Sequence, residues 1–422
     1  MKKLMALVAA VSVLLSFTTV WAEVLPIAKP EQVGLSTQRL SRIGPALKAQ
    51  IENGRFPGAV AVVVRKGRIA YFEAFGERDP STGAPMPKDA IFRLYSMTKP
   101  FVSVAAMMLV EEGKLTLADP VSTYLPQLAK LEVAVPQSGP DGKTTYVLVP
   151  AERPITIQDL LRHTSGIVYG IYTTNARVKE AYTAIGVDWR DVTPAEQVER
   201  LAKAPLAHQP GTAWEYSLST DVLGRVIEAV TKMPLSALLA ERVFAPLKIK
   251  DTAFVVSKDK AGRLAQPFAT DKTTGKSITL LDVTVPQKND AGGAGSAGTA
   301  GDYVRFLQMM LNGGRLDGAR LLSRTTVSFM TSDHLGTIKP AIPLLQAGAG
   351  FGLGIAVRKE AGLSVTPGSA GEYTWGGAAG TGFWVDPKEQ LVAVIMTQTQ
   401  PGPQQRLDRA LFRDLVQQAI ID

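Results

Sequence analysis

The run Gly58-Ala59-Val60-Ala61-Val62-Val63-Val64-Arg65-Lys66-Gly67-Arg68-Ile69-Ala70-Tyr71-Phe72-Glu73-Ala74-Phe75 decides the architecture. Gly58 to Val64 is apolar and β-branched, Arg65-Lys66-Gly67-Arg68 is a turn, and Ile69 to Phe75 is a second strand, so the stretch is predicted to be a hairpin. On its N-terminal side, Ser36 to Asn53 has amphipathic helical spacing, with Ser36 as N-cap and Gly54 as stop. On its C-terminal side, Ser96 to Glu112 is predicted to form a helix ended by Gly113, and its crowded apolar faces predict burial.

Strand patterns return near the other end of the chain. Gly352 to Arg358, Glu372 to Trp375, Gly382 to Val385 and Leu391 to Thr397 are the candidates, with Asp386-Pro387-Lys388-Glu389 turning between the last two. Leu407 to Ile420 is an amphipathic closing helix, and Asp302 to Asn312 another helix stopped by Gly313-Gly314. Between 115 and 290 the pattern is helical segments, such as Ile157 to Arg162, Pro194 to Ala202 and Thr220 to Thr231, separated by Pro- and Gly-rich loops. The expected fold class is therefore α/β (α+β): one antiparallel sheet assembled from both chain ends and flanked by helices, residues 23–114 and 291–422, with a mostly helical domain inserted at 115–290.

Composition narrows the chemistry. The chain is 45% apolar and 20% charged, which suits a sizeable core. Residues 1–22 read as a secretory signal peptide: Lys2 and Lys3, an apolar run from Leu4 to about Val20, and Val20-Trp21-Ala22 before cleavage at Glu23. The competing membrane-anchor reading is weaker, because the run is at the short limit for a span and no basic stop-transfer cluster follows. A periplasmic or secreted location, with no stable membrane anchor, is expected. The formal charge of +8 is scattered rather than clustered, so no nucleic-acid partner is expected. Absence of cysteine excludes disulfides, thiolate metal sites and cysteine nucleophiles. The three histidines, His163, His208 and His334, form no zinc-binding pair, and no Gly-x-Ser-x-Gly elbow occurs, so neither a metal site nor a Ser-His-Asp triad is expected.

Ser96-Met97-Thr98-Lys99 carries the nucleophile candidate. Helical positions three apart share a face, so the serine and lysine meet. A serine hydroxyl needs a base. A lysine becomes one when burial and a positive helix end disfavour its charge. The tetrad alone is equally compatible with a serine cap beside an exposed lysine. Tyr216, in Trp214-Glu215-Tyr216-Ser217 at a loop-to-helix junction, is a candidate proton shuttle, against a plain packing role. Trp375-Gly376-Gly377-Ala378-Ala379-Gly380 lets a substrate lie along a bare strand edge, or else marks a tight packing contact.

Together with Ile155-Thr156-Ile157-Gln158-Asp159-Leu160-Leu161-Arg162-His163-Thr164-Ser165-Gly166, these motifs resemble, in order and spacing, the penicillin-recognising serine hydrolases. Within that superfamily the chain resembles the class C β-lactamases and, more closely, the family VIII carboxylesterases. The resemblance implies Ser96 as acylated nucleophile, Lys99 and Tyr216 as general base and acid, and the backbone N–H groups of Ser96 and Ala378 as oxyanion hole. It implies Trp375, Gly376, Gly377 and Leu218 as substrate-binding positions, a structural His163, an Asp221 that braces the Tyr216 loop, and no cofactor. Two departures matter: Leu218 stands where many β-lactamases have Asn, and Trp375 where they have Lys. Loss of that amide and that cation favours a neutral ester over a charged β-lactam. The expected substrate is a small-molecule ester or β-lactam. The alternatives are a class C-like β-lactamase or D-amino-acid peptidase, and a non-hydrolytic cell-wall binding or sensor protein; the oligomeric state is open.

Three further motifs are read as decoys. Gly293-Ala294-Gly295-Ser296-Ala297-Gly298 follows no strand and is expected to be a loop near the cleft, Gly275-Lys276-Ser277 lacks a P-loop glycine, and Ser332-Asp333-His334 is a loop.

Overall fold

The computed structural model describes residues 25–139, 141–186, 191–402 and 404–422; the signal-peptide reading of residues 1–22 lies outside them. Eight strands form one sheet: β1 (Gly58–Arg65), β2 (Arg68–Asp79), β3 (Ala84–Pro85), β4 (Ala349–Phe351), β5 (Ala356–Arg358), β6 (Tyr373–Gly376), β7 (Gly382–Asp386) and β8 (Leu391–Thr397). Their order is β4-β5-β6-β7-β8-β1-β2-β3, antiparallel throughout. The deciding hairpin is present, closed by Lys66 and Gly67, both at positive φ, in the two-residue turn that suits strand twist. β1 then pairs with β8 (Val62 opposite Val394), so the two ends of the chain meet at the centre of the sheet.

The period of two sorts β1 into two cores. Ala59, Ala61 and Val63 pack with Leu40, Leu47, Phe412 and Val416. These come from α1 (Thr37–Leu40), α2 (Ile43–Glu52) and the closing helix Gln404–Gln417. Val60, Val62 and Val64 face the larger core, which holds the helices Lys99–Glu111 (α3) and Ala300–Leu311. Phe101 of α3 sits there with its ring 4.6–5.2 Å from those of Phe244, Tyr303 and Phe306, a burial of about 2–3 kcal/mol.

Three elements differ from expectation. The helix over Ser36 to Asn53 is broken at Ser41-Arg42, because Pro45 has no N–H to give the Ser41 carbonyl. Gly352 to Arg358 is not one strand: the chain reverses between β4 and β5 at Gly354, whose φ is +93°. The stretch 115–290, expected to be mostly helical, also carries a hairpin that was not foreseen, Glu132–Ser138 paired with Thr144–Pro150. Its helices include Ile157–Leu161 (α4) and Ser219–Thr231 (α5); completing the numbering, Ala300–Leu311 is α6 and Gln404–Gln417 is α7. The flanks of this stretch are stitched together: Ile91–Arg93 pairs antiparallel with Ala297–Thr299, and Leu94 N–H donates to the Ser296 carbonyl at 2.9 Å. That pairing sets the loop before Ala297 beside the turn that follows Arg93.

Candidate active site

That turn is not the start of an α-helix. Tyr95–Thr98 is a 3-10 turn, and the α-helix begins at Lys99. Tyr95 enters it at φ +47°, a left-handed conformation rare for an aromatic residue. The conformation is anchored by tertiary contacts: the Tyr95 hydroxyl accepts from Leu281 N–H at 2.8 Å, and the residue packs against the small apolar cluster of Ile91, Val256, Leu264, Leu281, Val283 and Ala297. Ser96 is consequently presented half-exposed, one turn ahead of a buried helix.

Ser96, Lys99 and Tyr216 come together. The Tyr216 hydroxyl donates to Ser96 Oγ at 2.6 Å, and Lys99 Nζ lies 3.5 Å from the same oxygen. Lys99 is 0% exposed, so the capped-serine, exposed-lysine alternative does not hold. Burial pushes its pKa down to about 7, with the charge of Asp221 pulling the other way. Nζ also donates to the Gly293 carbonyl at 2.7 Å and to the Tyr169 hydroxyl at 3.2 Å, and it lies 4.5 Å from the centre of the Tyr216 ring. Burial drives Tyr216 well above the usual phenol range, against hydrogen bonds to Ser96 and Trp375, so it is a neutral donor.

The Ile155 to Gly166 stretch scaffolds the tyrosine rather than reaching the serine. Thr156 caps α4, and the buried Asp159 carboxylate gathers Arg153, Arg162, Thr156 and Thr164 within 3.1 Å. The backbone then meets the Tyr216 loop: Glu215 N–H donates to the His163 carbonyl, and Gly211 N–H to that of Thr164. His163 Nδ1 hydrogen-bonds Ser217 Oγ at 2.8 Å, not Ser96. Burial, and then the charge of Lys99, hold the imidazole far below its ordinary pKa, hence neutral.

On the opposite wall, Trp375 is half-buried; its Nε1–H is 3.4 Å from the Tyr216 hydroxyl and its ring 5.1 Å from the Tyr216 ring. Gly376 and Gly377 are closely packed where a side chain would stand. A Cβ on Gly376 would fall 1.8 Å from Arg409 Nη1, and one on Gly377 would fall 2.3 Å from the Leu94 carbonyl oxygen. This close approach seats the turn of Ala378 against the backbone two residues before Ser96. Gln405 holds the Ala378 carbonyl at 2.5 Å. Among the described residues, neither the Ser96 nor the Ala378 N–H donates to another backbone group. Leu218 is 1% exposed in the apolar core, so it offers a substrate no accessible surface.

Two partners of Lys99 were invisible in the motifs. Tyr169 lies three residues past the Ile155 to Gly166 stretch, and that nearness is the only sequence signal for it. Gly293 belongs to the loop read as a false dinucleotide motif; that loop is at the cleft as expected, with Ser296 Oγ 2.7 Å from Thr98 Oγ1. Among the described residues no group of three or more His, Asp or Glu is arranged to hold a metal ion.

The comparisons with known proteins agree with this geometry. The sequence model of the Beta-lactamase family matches residues 45–418. Protein Rv1367c of Mycobacterium tuberculosis is 36% identical over 366 residues, covering 84% of this chain and 89% of its own. Esterase EstB of Burkholderia gladioli is 33% identical over 377 residues, covering 85% and 90%. The solved structure of EstCE1, described as a hydrolase with promiscuous acyltransferase activity, superposes with a TM-score of 0.72 at 29% identity, covering 90% of this chain and 98% of that one. The chain belongs to the Beta-lactamase family, within the penicillin-recognising serine hydrolase superfamily.

Proposed function

We propose that this serine hydrolase is a carboxylesterase that cleaves short-chain acyl esters through an acyl-enzyme on Ser96. The observation that carries the reading is the valence of Lys99. A neutral amine has two N–H groups and one lone pair. The Gly293 carbonyl can only accept, and Tyr169 accepts as well, which leaves the lone pair for the Ser96 hydroxyl.

In acylation, Ser96 Oγ bonds to the ester carbonyl carbon as its proton passes to Lys99. The carbonyl oxygen becomes an oxyanion against the Ser96 and Ala378 N–H groups. Collapse breaks the C–O bond to the alcohol, whose oxygen takes the Tyr216 proton, and Lys99 restores that proton to Tyr216. Water then repeats the sequence from the alcohol's position: its proton goes to the Tyr216–Lys99 pair, and Ser96 leaves reprotonated with release of the acid. Neutral substrates are favoured by an aromatic wall. Trp375 and Tyr172, neither of them buried, lie with ring centres 5.1 and 6.4 Å from that of Tyr216, and no lysine stands at position 375 to bind a carboxylate. An esterase and a hydrolase among the relatives support ester chemistry.

The test is a comparison of kcat/KM on p-nitrophenyl butyrate and on a chromogenic cephalosporin. The ester is expected to be preferred by at least about tenfold, about 1.4 kcal/mol of transition-state discrimination. Higher efficiency on the cephalosporin would replace the esterase reading with that of a β-lactamase.

A further inference from the structure

Asp221 is a buried acid that the reaction sequence above does not use. It stands in the first turn of α5, 1% exposed. Its Oδ1 accepts the Gly293 N–H at 3.0 Å, while Oδ2 has no hydrogen-bond partner among the described residues. A buried carboxylate oxygen left unpartnered is costly and calls for a reason. The reason lies across Gly293. The residue whose N–H Asp221 holds is the one whose carbonyl receives Lys99 Nζ at 2.7 Å. The contact admits no side chain: a Cβ on Gly293 would lie 2.3 Å from Asp221 Oδ2 and 3.1 Å from the Tyr169 hydroxyl. The groups facing Asp221 are Lys99, Tyr169, Tyr216 and Arg225, of which Arg225 is also paired with Glu228 at 3.2 Å. Burial raises the pKa of the Asp221 carboxyl, and the charge of Lys99, the Gly293 N–H and the charge of Arg225 pull it back toward the ionised form.

We propose that Asp221 is a positioning residue for the Lys99 base: it clamps Gly293 so that the Gly293 carbonyl receives the amine, and it supplies the negative charge against which that amine gains and loses its proton. The proposal rests on Lys99 acting as the base. Burial alone would make Lys99 neutral but weakly basic. The nearby charge restores basicity, matching the amine to a proton it must take from serine near neutral pH.

The test replaces the charge and keeps the shape. In Asp221→Asn, the amide oxygen can still accept the Gly293 N–H, but the charge is gone. The acid limb of kcat/KM on p-nitrophenyl butyrate is expected to move down by about 1–3 pH units, the range set by a nearby opposite charge. The plateau is expected to fall about tenfold, part of the 10²–10⁴ that a general base supplies. Titration of the Lys99 side-chain resonance in ¹³C-lysine-labelled protein, identified by its loss in Lys99→Met, must show the same downward shift. Asp221→Ser, smaller and equally uncharged, carries the same expectation should the Asn variant not fold. A Lys99 titration that stays in place in a folded, uncharged variant would overturn the proposal. Absence of ester turnover by the unmodified enzyme would instead overturn the esterase reading, and the resonance titration would still decide on Asp221.

Discussion

Lys99 has three oxygen partners and, when neutral, two N–H groups to give them, so the site works in one protonation state. Its pKa is lowered to about 7, and in the proposed mechanism the reactive form is the unprotonated one. Efficiency on a neutral ester should therefore rise with pH through about 7 and then level, in a pH–rate profile of kcat/KM. Lys99→Ala and Tyr216→Phe should each lower the plateau by about 10²–10⁴; a loss of less than about tenfold in either would remove that residue from proton transfer. Ser96, Lys99 and Tyr216 were legible in the sequence because their side chains fall in motifs with a chemical logic. Tyr169 and Gly293 were not. A phenol 70 residues from the lysine carries no spacing signal, and a backbone carbonyl has no sequence signature. Gly376 and Gly377 were legible as bare positions, but which atoms would fill the space could be read only from where Arg409 and Leu94 lie.

At the scale of elements, the conspicuous twelve-residue stretch acts through its fold. Asp159 is 0% exposed and ties α4 to Arg153 and Arg162. Asp159→Ala should destabilise the protein by about 3 kcal/mol, as read from urea unfolding. Burial raises the pKa of this carboxyl, but Arg153, the Thr156 N–H and the Thr164 hydroxyl outweigh that and hold it below the ordinary range. Its contribution is therefore complete above about pH 4 and lost as pH falls through the folded-state value, so the gap between the two proteins should close in acid. A gap that widens in acid would contradict the assignment. The hairpin at Glu132–Ser138 and Thr144–Pro150 shows a different kind of miss. Thr144-Thr145-Tyr146-Val147 is a strand signal, but Pro- and Gly-rich surroundings and neighbouring helices masked it. The break before α2 follows from Pro45, a local cause that the helical spacing of Ser36 to Asn53 overrode in the sequence reading; the reversal at Gly354 depends on how closely Ser103 of α3 approaches, since a Cβ there would lie 2.0 Å from its Oγ.

Across the whole molecule, the sheet was legible because strand patterns are local and both chain ends carry them; that β1 pairs with β8 is set by the packing of the two ends and was not. The loops from 264 to 296 were not, since their course is set by distant contacts. Arg93 binds the Ala265 and Leu281 carbonyls, and Tyr95 receives Leu281 N–H, so this long segment holds the serine turn from outside the sheet. The fold thus brings the proposed nucleophile from one flank of the intervening stretch, the carbonyl that receives its proposed base from the other, and a tyrosine from within it. The central claim is that Ser96 is acylated. Intact-mass measurement on enzyme quenched during turnover of p-nitrophenyl butyrate tests it most directly. A gain of one butyryl group, located on the peptide containing Ser96 and absent from Ser96→Ala, is the expected result. An adduct on any other residue, or undiminished turnover by Ser96→Ala, would contradict it.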